Sequence, residues 1–415
     1  VNHPVDCPIC DQAGECKLQD YYMAYDAQES RLRADKVSKV KVYPLGPEVV
    51  YDGERCILCT RCVRFCEEIT ETNELQTAQR GDSTEIRTFP GEELDNNYSL
   101  CTVDICPVGA LTSRDFRFKC RVWLLNSTDS ICTGCSKGCN THLDHFRNEV
   151  QRYRPRYNPD VNDYWMCDAG RYTYKEVHTD RMTHPTVDGQ KVKWHTAIEN
   201  LTERLGAQLD EEAAPNNNVG FVVSPQASCE DLQAAKQVAE DVIGTNRLFL
   251  AGRPSGLCDD LLIEADKNPN KRGVEFIFGE TDFGNFYELV DAIENGEIDA
   301  LYLMNKEIPT QDKNLHKRFY AALDRLDVFV FQSMHRGDVE FTPDHRGDFP
   351  KRPVALADKA DIALPACTHA EKDGTFVNVD GIAQPFDRAF RPHGDSLPDW
   401  QIFAKVADRL GGGLS

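Results

Sequence analysis

The sequence of 415 residues lacks the features that mark several common classes of protein. It has no run of 18 apolar residues, and apolar stretches such as 300–304 have the length of buried strands, so no segment is expected to span a bilayer. It also lacks an excess of basic residues. Because its net charge is −21, nucleic acid is not an expected partner. Any association with a membrane is expected to come only through partner proteins.

A signal-peptide pattern is absent as well, although the chain has 17 cysteines. Fourteen of them precede residue 168 in clustered spacings, whereas secreted domains rich in disulfides are usually small. We therefore expect reduced thiolate ligands in a cytosol-like compartment rather than a disulfide framework. Because the chain starts at Val1, close to a candidate ligand at His3, we expect a fragment or a chain that lacks an upstream domain.

The first candidate metal site combines one histidine with three cysteines near the start of the chain. His3, Cys7, Cys10 and Cys16 are four candidate ligands within 14 residues, and a helix is predicted over 18–25. Three thiolates and one neutral imidazole can hold an iron–sulfur cube, and histidine in place of cysteine is one way to adjust its potential. The ligand set also fits a zinc site with three cysteines and one histidine.

The second candidate site is a compact loop of cysteines completed by a distant one. Cys56, Cys59 and Cys62 have the spacing C-x2-C-x2-C, which can hold three corners of an iron–sulfur cube. In ferredoxin-type sites, the fourth ligand follows far along the chain as a Cys-Pro pair. Cys106, which precedes Pro107, fits that role. Two strands, over 37–43 and 48–51, are predicted before this loop.

Cys66 would be the fourth ligand of a second cube in a two-cluster ferredoxin. That cube would need a second C-x2-C-x2-C run just before Cys106, and the sequence lacks one. The positions that would supply its cysteines hold Asn96, Ser99 and Thr102. The segment is therefore predicted to be a ferredoxin-like unit that keeps one cube, with Cys66 and Cys101 as buried apolar residues rather than ligands.

The third candidate site is Cys132, Cys135, Cys139 and Cys167, with the spacing C-x2-C-x3-C-x27-C. A zinc ribbon would typically use two C-x2-C pairs instead. Between these ligands, 141–153 alternates like half-exposed strands, and 168–171 is predicted to be a turn and helix start. Cys120, which lies between the sets, is predicted to be structural.

After about residue 176 the cysteine density falls and strands alternate with helices. Strands are predicted at 219–224, 247–251, 300–303 and 328–331, and helices at 230–242 and 286–295. This alternation indicates an α/β domain with a mainly parallel sheet. Phosphate-cradling loops need small residues after such strands, but the strand 300–304 runs into Asn305 without a glycine. Seven isolated residues lack ligand spacing and are predicted to be packing, satisfied or surface residues: Cys229, Cys258, Cys367, His316, His335, His345 and His393.

Together the three cysteine sets resemble the large iron–sulfur subunit family of respiratory NADH:quinone oxidoreductase, complex I. The matching stretches are 3–20 (HPVDCPICDQAGECKLQD), 55–68 (RCILCTRCVRFCEE), 104–114 (DICPVGALTSR), the set from Cys132 to Cys167, and 369–384 (HAEKDGTFVNVDGIAQ). The third set and the segments 361–365 and 374–378 also resemble molybdopterin oxidoreductases such as formate dehydrogenase. The resemblance covers nearly the whole chain.

The resemblance implies three [4Fe-4S] clusters, one on each set of four ligands, with the third off the electron path. It implies domains at 1–48 (a 4Fe-4S segment with one histidine and three cysteines), 49–120 (ferredoxin-like unit), 121–175 (molybdopterin-oxidoreductase-type 4Fe-4S domain) and 176–415 (α/β domain, incomplete and without molybdopterin). The family's N-terminal [2Fe-2S] cluster has no ligands in this chain.

The function implied is relay of single electrons from a flavin-containing NADH-oxidising subunit toward quinone, with no substrate site on this chain. The implied partners are that subunit and the quinone-side iron–sulfur subunits, in a peripheral arm at the cytoplasmic face of a bacterial inner membrane. The alternative is a catalytic oxidoreductase, either a molybdenum formate dehydrogenase or an iron-only hydrogenase. The hydrogenase would keep the second ferredoxin cube, and the dehydrogenase would need pterin loops and a metal ligand.

Overall fold

The structure is a computed structural model that describes residues 3–26, 35–209, 215–305, 312–337, 351, 354–411 and 413. The chain divides into two compact units. The first unit comprises Val1–Ser127 and Asp144–Arg171, and the second comprises Thr128–Leu143 and Tyr172–Ser415. None of the helices in the described ranges is both long and apolar enough to cross a membrane.

Ten α-helices and seventeen strands are described, together with short 3₁₀ segments. The helices are α1 Lys17–Tyr25, α2 Arg61–Glu68, α3 Cys101–Ile105, α4 Asp168–Tyr172, α5 Trp194–Gly206, α6 Cys229–Gln237, α7 Lys271–Phe278, α8 Phe286–Glu294, α9 Lys313–Leu323 and α10 Asp399–Leu410. The strands are β1 Tyr43–Pro44, β2 Val49–Tyr51, β3 Leu75–Ala78, β4 Glu85–Thr88, β5 Leu111–Ser113, β6 Asn126–Ile131, β7 Asn140–Phe146, β8 Glu149–Pro155, β9 Thr186–Val187, β10 Gln190–Lys191, β11 Val219–Val223, β12 Leu248–Leu250, β13 Ala300–Met304, β14 Val328–Ser333, β15 Ile362–Pro365, β16 Gly374–Val377 and β17 Ala383–Phe386.

The first unit contains small sheets and short helices. Strands β1, β2 and β5 form a sheet in that order, and β3 pairs with β4 in an antiparallel hairpin. The strand predicted over 37–43 is wrong except at its end, because only β1 is a strand. The preceding residues are mostly exposed, and the carbonyl of Val40 accepts one backbone hydrogen bond from Gly53 rather than joining a ladder. The helix predicted over 18–25 is confirmed as α1.

Helices α2 and α3 position cysteines at their ends. The buried face of α2 carries Phe65, whose ring lies 4.9 Å from the ring of Trp165. Helix α3 ends just before Cys106, which has the extended angles φ −69° and ψ 117°. A residue before proline is driven out of helical geometry, so Pro107 ends the helix at this cysteine.

The second unit is built on a seven-stranded sheet in the order β10-β9-β15-β14-β13-β11-β12. The five strands from β15 to β12 are parallel, and β9 and β10 add antiparallel pairs at one edge. Every residue of β11, β13 and β14 is buried, as expected for strands covered on both faces. The prediction of a mainly parallel α/β domain is confirmed.

Helices cover both faces of this sheet. On one face, α5, α6, α7 and α10 contribute buried apolar side chains such as Leu201, Leu232 and Phe403 to one core. On the other face, α8 and α9 contribute side chains such as Leu289 and Phe319 to a second core. The predicted helix 286–295 is confirmed as α8, and the predicted helix 230–242 is α6 together with a continuing π-helical turn at Val238–Ile243.

Candidate metal centres

The loop that carries Cys56 and Cys59 reverses direction through left-handed residues. Leu58 and Thr60 have φ values of 55° and 61°, and the N–H of Leu58 donates to Sγ of Cys56 at 3.4 Å. Cys62 follows in the first turn of α2. Backbone N–H groups directed at cysteine sulfurs stabilise thiolates, the form that binds metal.

Cys106 receives similar support from the segment that follows it. Burial raises the pKa of the Cys106 thiol to about 11, although backbone N–H groups of Val108, Leu111 and Ala110 act in the opposite direction. The turn after Pro107 therefore offers several donors to one sulfur. This arrangement is suited to a thiolate that would remain charged when it binds iron.

The four thiols of the second set converge. Cys56, Cys59, Cys62 and Cys106 line one cavity, together with Tyr51 and other mainly apolar residues. Burial and the neighbouring charges of the other three cysteines raise the pKa of Cys62 to about 12. Such crowded thiols repel one another as anions, so a cationic iron core would relieve the repulsion. The donor chemistry at this cavity therefore fits an iron–sulfur cluster.

Within the described ranges, no group of three or more His, Cys, Asp or Glu side chains is placed to hold one metal ion. A zinc ion would need its sulfur ligands about 2.3 Å from one point. In the second set, by contrast, the thiols stand around the walls of a cavity.

In the first set, the ring of His3 is oriented by the backbone of Arg55. Nδ1 of His3 lies 2.8 Å from the carbonyl oxygen of Arg55. A carbonyl oxygen only accepts hydrogen bonds, so Nδ1 carries the proton and Nε2 keeps its lone pair. Burial lowers the pKa of His3, which favours the neutral ring that binds metals. A metal-binding histidine commonly donates its second nitrogen in this way.

The cysteines of the first set are mostly buried. Cys10 and Cys16 are each 7% exposed, and Cys7 is half-buried in the 3₁₀ turn Cys7–Ile9. Burial raises the pKa of Cys10, and the charge of Cys16 contributes in the same direction. Cys16 directly precedes α1.

The first and second sets approach each other at the segment after Cys106. Sγ of Cys16 lies 3.6 Å from the carbonyl oxygen of Pro107, to which it donates. Gly109 lies so close to Cys10 that a Cβ atom added at this glycine would collide with Sγ of Cys10. The chain that carries a ligand of the second set is therefore in contact with two ligands of the first.

Three members of the third set lie on a tight connection between β6 and β7, in the second unit. The N–H of Cys132 donates to the carbonyl of Cys139 at 2.8 Å, and the N–H of Gly134 donates to Sγ of Cys132 at 3.4 Å. Gly138 has a φ of 62° and closes the turn after Cys135. Burial and the charge of Cys135 raise the pKa of Cys132 to about 12.

Buried hydroxyl groups accompany this connection. The side-chain oxygens of Ser130, Ser136 and Thr141 are buried and have no hydrogen-bond partner among the described residues. Leaving a buried hydroxyl unpaired costs about 1–3 kcal/mol. Cluster sulfides and thiolates accept hydrogen bonds, so these hydroxyls fit an iron–sulfur cluster at the third set.

Cys167, the fourth member, belongs to the first unit and directly precedes α4. Its Sγ accepts a hydrogen bond from the N–H of Gly170 at 3.3 Å. The predicted turn and helix start at 168–171 is confirmed. The strands predicted over 141–153 are present as β7 and β8, but β7 is mostly buried rather than half-exposed.

The positions that would hold a second ferredoxin cube carry hydrogen-bonded polar side chains. The hydroxyl of Ser99 donates to Oδ2 of Asp168 at 2.6 Å, and the hydroxyl of Thr102 donates to the carbonyl of Ser99 at 2.7 Å. Asn96 donates to the carboxylate of Glu74. These side chains form hydrogen bonds around α3 at the positions where ligands of a second cube would stand. The absence of that cube is consistent with this hydrogen bonding.

The leftover cysteines lie in different environments. Cys66 and Cys101 are fully buried, and burial raises the pKa of each to about 12. The Cys101 thiol donates to the carbonyl of Met166 at 3.3 Å. Cys120 is half-buried. Cys66 and Cys101 are buried, and no other cysteine acts on the pKa of either thiol, which agrees with their predicted role as buried apolar residues.

In the second unit, a polar cleft lies where the parallel strands end. Its lining includes residues that follow β11, β13, β14 and β15, and ligands of doubly wound folds bind at this edge. Lys372 reaches Oδ2 of Asp231 at 2.5 Å and Oδ2 of Asp399 at 2.8 Å, and all three side chains are at least 92% buried. Lys372 and Asp399 line this cleft, and with Asp231 they form an internal ion network, called here the Lys372 triad.

The isolated residues of the second unit are mostly satisfied. His335 is buried with Nε2 2.8 Å from the carbonyl of Glu176, and Nδ1 of His393 lies 2.7 Å from Glu371. Cys367 is buried in the cleft lining, whereas Cys258 is exposed. Cys229 is half-buried at the start of α6. His345 lies outside the described residues, and His316 lies on α9.

Several residues at these centres were not predicted from the sequence. Arg55 and Gly109 contact the first set from segments more than 38 positions away, and only the fold brings them there. Ser136 could have been noticed, because a hydroxyl between Cys135 and Cys139 lies inside the ligand loop. No sequence signal marked the Lys372 triad, whose members are 27 and 141 positions apart from the lysine.

Known protein families match most of the cysteine-rich region and the end of the second unit. Four family profiles match: "NADH-ubiquinone oxidoreductase-G iron-sulfur binding region" at 1–31, "NADH-quinone oxidoreductase subunit 3, ferredoxin-like domain" at 46–112, "NADH-ubiquinone oxidoreductase NDSU1/NuoG-like, 4Fe-4S domain" at 125–175, and "Molybdopterin oxidoreductase" at 352–409. Three of these profiles, all within the first 175 residues, describe iron–sulfur domains of NADH-quinone oxidoreductase subunits, and the chain is similar to them there. Its ferredoxin-like and 4Fe-4S domains, followed by a domain of the molybdopterin oxidoreductase type, confirm the predicted fold class.

Relatives of the chain occur in bacteria and mitochondria. The chain is 34% identical over 259 residues to the G subunit of NADH-quinone oxidoreductase from Streptomyces coelicolor, covering 61% of this chain and 30% of the relative. It is 30% identical over 404 residues to the mitochondrial NADH dehydrogenase [ubiquinone] iron-sulfur protein 1 of Solanum tuberosum, covering 92% and 51%. It is 37% identical over 254 residues to the NADH-ubiquinone oxidoreductase 75 kDa subunit of Reclinomonas americana, covering 60% and 36%. The chain thus spans about half or less of the length of these relatives.

Proposed function

We propose that this chain is an electron-transfer subunit of NADH:quinone oxidoreductase. It would relay single electrons from the flavin-containing, NADH-oxidising subunit toward quinone and would carry no substrate site of its own. Three [4Fe-4S] clusters are proposed. Their ligands are His3, Cys7, Cys10 and Cys16; Cys56, Cys59, Cys62 and Cys106; and Cys132, Cys135, Cys139 and Cys167. Bound clusters of this type accept and release single electrons.

The observation that carries the proposal is the contact between the first and second ligand sets. The Cys16 thiol lies 3.6 Å from the carbonyl of Pro107, and Pro107 is bonded directly to Cys106. Gly109 packs against Cys10 two residues further on. Ligands of two centres are therefore joined by one hydrogen bond and a few covalent bonds. An electron relay requires its centres to be this close, whereas two independent structural metal sites do not.

The backbone keeps these ligands in place. The carbonyl of Arg55 holds the His3 ring with Nε2 free, while N–H groups after Pro107 face Cys106. Preorganised ligands reduce the rearrangement that accompanies a change of charge at the centre. We propose that this rigidity serves electron transfer.

We propose that the second unit is mainly a scaffold. Lys372 and Asp399 line the cleft at the carboxyl ends of the strands, where related folds bind ligands, and their charges are already paired within the Lys372 triad. The third ligand set would then support assembly more than electron flow. The finer domain limits remain those of the sequence: 1–48, 49–120, 121–175 and 176–415.

The proposed partners are the flavin-containing subunit and the quinone-side iron–sulfur subunits, in a peripheral arm at the cytoplasmic face of a bacterial membrane. The relatives are named as subunits of this oxidoreductase, which supports the assignment. No ligands for the family's [2Fe-2S] cluster are expected in this chain.

The test uses the assembled complex with single substitutions in this subunit. Cys62→Ser should abolish electron flow from NADH to quinone, because it removes a thiol from the cavity of the second set. Cys66→Ser is the matched control, since it lies one helical turn further along α2 and faces no other cysteine. Flow should persist in this control. Equal loss in both variants, with the complex assembled, would contradict the ligand assignment.

A further inference from the structure

The side chain of Arg55 lies where the first and second ligand sets come together. It is 5% exposed, and it directly precedes Cys56 in the chain. It also lies against the same face of Gly109 as Cys10. A Cβ atom added at Gly109 would be 3.7 Å from Cδ of Arg55 and would collide with Sγ of Cys10. The Arg55 side chain therefore packs beside the same glycine as Cys10, and the charges of Arg55 and Cys10 act on each other.

Two carboxylates hold this guanidinium group in place. Asp6, next to Cys7, accepts from Nε at 3.3 Å and from Nη2 at 2.9 Å, a bidentate arrangement. Oδ2 of Asp52 lies 3.5 Å from Nη1, and Oδ1 of Asp52 accepts from the backbone N–H of Arg55. A bidentate pair fixes both position and orientation more firmly than a single contact. Arg55 thus links the ligand loop of the first set to that of the second.

The backbone of the same residue positions the histidine. The carbonyl of Arg55 accepts from Nδ1 of His3 at 2.8 Å. One residue therefore orients a proposed ligand through its main chain and places a positive charge beside another through its side chain. No other arginine among the described residues has both contacts to the first set.

We propose that Arg55 is a positioning residue that raises the reduction potential of the first cluster. The inference rests on the proposed function, because it assumes a cluster on His3, Cys7, Cys10 and Cys16. A cluster becomes more negative when it gains an electron, so a fixed cation nearby stabilises the reduced state. Burial preserves this effect, because water screens a buried charge much less than an exposed one.

The size of the effect follows from the charges around the first ligand set. A full unit charge several ångströms away, at an effective dielectric constant of about 20, would change the ratio of reduced to oxidised cluster by well over tenfold. The carboxylates of Asp6 and Asp52 cancel part of that field. We therefore expect Arg55→Gln to lower the ratio on the order of tenfold at a fixed potential, which is about 59 mV for one electron.

The experiment is a redox titration of the full chain after anaerobic reconstitution, followed by electron paramagnetic resonance. The signal of the first cluster is assigned by its loss in Cys16→Ser. Arg55→Lys keeps the charge and should stay within about threefold of the wild-type ratio. Arg409→Gln removes one arginine from an exposed pair with Glu199 in the second unit and should leave the ratio unchanged.

The outcomes separate charge from packing. The proposal is supported if the ratio of reduced to oxidised first cluster falls tenfold in Arg55→Gln and stays close to the wild-type value in Arg55→Lys. Equal shifts in both variants, or no shift in either, would overturn it. If Arg55→Gln takes up no first cluster, Asp52→Asn provides the test instead. This variant leaves the Arg55 guanidinium less neutralised and should raise the ratio of reduced to oxidised cluster severalfold. An unchanged ratio counts against the proposal. A wild-type chain without a Cys16-dependent signal would instead refute the proposed function.

Discussion

Replacing Lys372 with methionine tests whether the buried ion network beside the cleft stabilises the second unit. The Lys372 triad is buried, with side-chain exposures of 7% for the lysine, 0% for Asp231 and 8% for Asp399. Burial alone lowers the pKa of Lys372, but the two carboxylates outweigh this effect and raise it. Without the ammonium group, two carboxylates would remain close together in a water-poor site.

Removing one partner of a buried ion pair costs about 3–5 kcal/mol. For a unit of this size, each kcal/mol shifts the melting temperature by about 2–4 °C. Lys372→Met should therefore lower it by roughly 6–20 °C. Burial raises the pKa of Asp399, and loss of the Lys372 ammonium, which acts in the opposite direction, would raise it further, so Asp399 would bind a proton in the folded state. The variant should consequently lose more stability at pH 8 than at pH 6.

The assay is thermal unfolding of the full chain, followed by circular dichroism at both pH values. Arg247→Gln is the control, because Arg247 pairs with Glu297 at an exposed site and should contribute at most about 1 kcal/mol. Adding Asp231→Asn and Asp399→Asn to Lys372→Met should restore part of the loss. The reasoning is refuted if Lys372→Met melts within about 2 °C of Arg247→Gln at pH 8.

Three further predictions concern other parts of the chain. Gly109→Ala should reduce the iron content by roughly one cluster, because its Cβ would collide with the Cys10 thiol, whereas Gly206→Ala, whose Cβ has ordinary contacts, should not. Cys167→Ser should impair assembly more than electron flow, and a complex that assembles normally yet passes no electrons would contradict this. Burial by itself raises the pKa of Glu371, but its bonds to a histidine and an arginine outweigh that and hold it at about 2. Up to about 3 kcal/mol of stability, present above pH 4.5, should therefore be lost toward pH 2, and acid unfolding of Glu371→Gln should lack this component.

The sequence predicted those features of the structure that depend on residues close together in the chain. Period and composition predicted α1, the buried strands β11, β13 and β14, and the parallel sheet, because burial on both faces demands continuous apolar runs. Cysteine spacing predicted which thiols would line the second cavity, since C-x2-C-x2-C constrains one short loop and Cys-Pro ends a helix at the fourth ligand.

Features that depend on distant segments were not predictable in this way. The approach of Gly109 to Cys10 and the placement of Arg55 arise from packing between segments, and a single sequence carries no signal for it. The strand predicted at 37–43 failed because alternating residues form a strand only when a partner strand pairs with them. Asn305 takes a left-handed φ of 66° without being glycine, so the missing glycine after β13 was a weaker signal than the sequence alone suggested.

The central claim is that this chain holds three four-iron clusters. Its most direct test is metal and acid-labile sulfide analysis of the anaerobically reconstituted full chain, with electron paramagnetic resonance of the reduced sample. We expect about 12 iron and 12 sulfide per chain, with reduced-cluster signals. Stoichiometric zinc in place of iron, or bound molybdenum with turnover of formate, would contradict it.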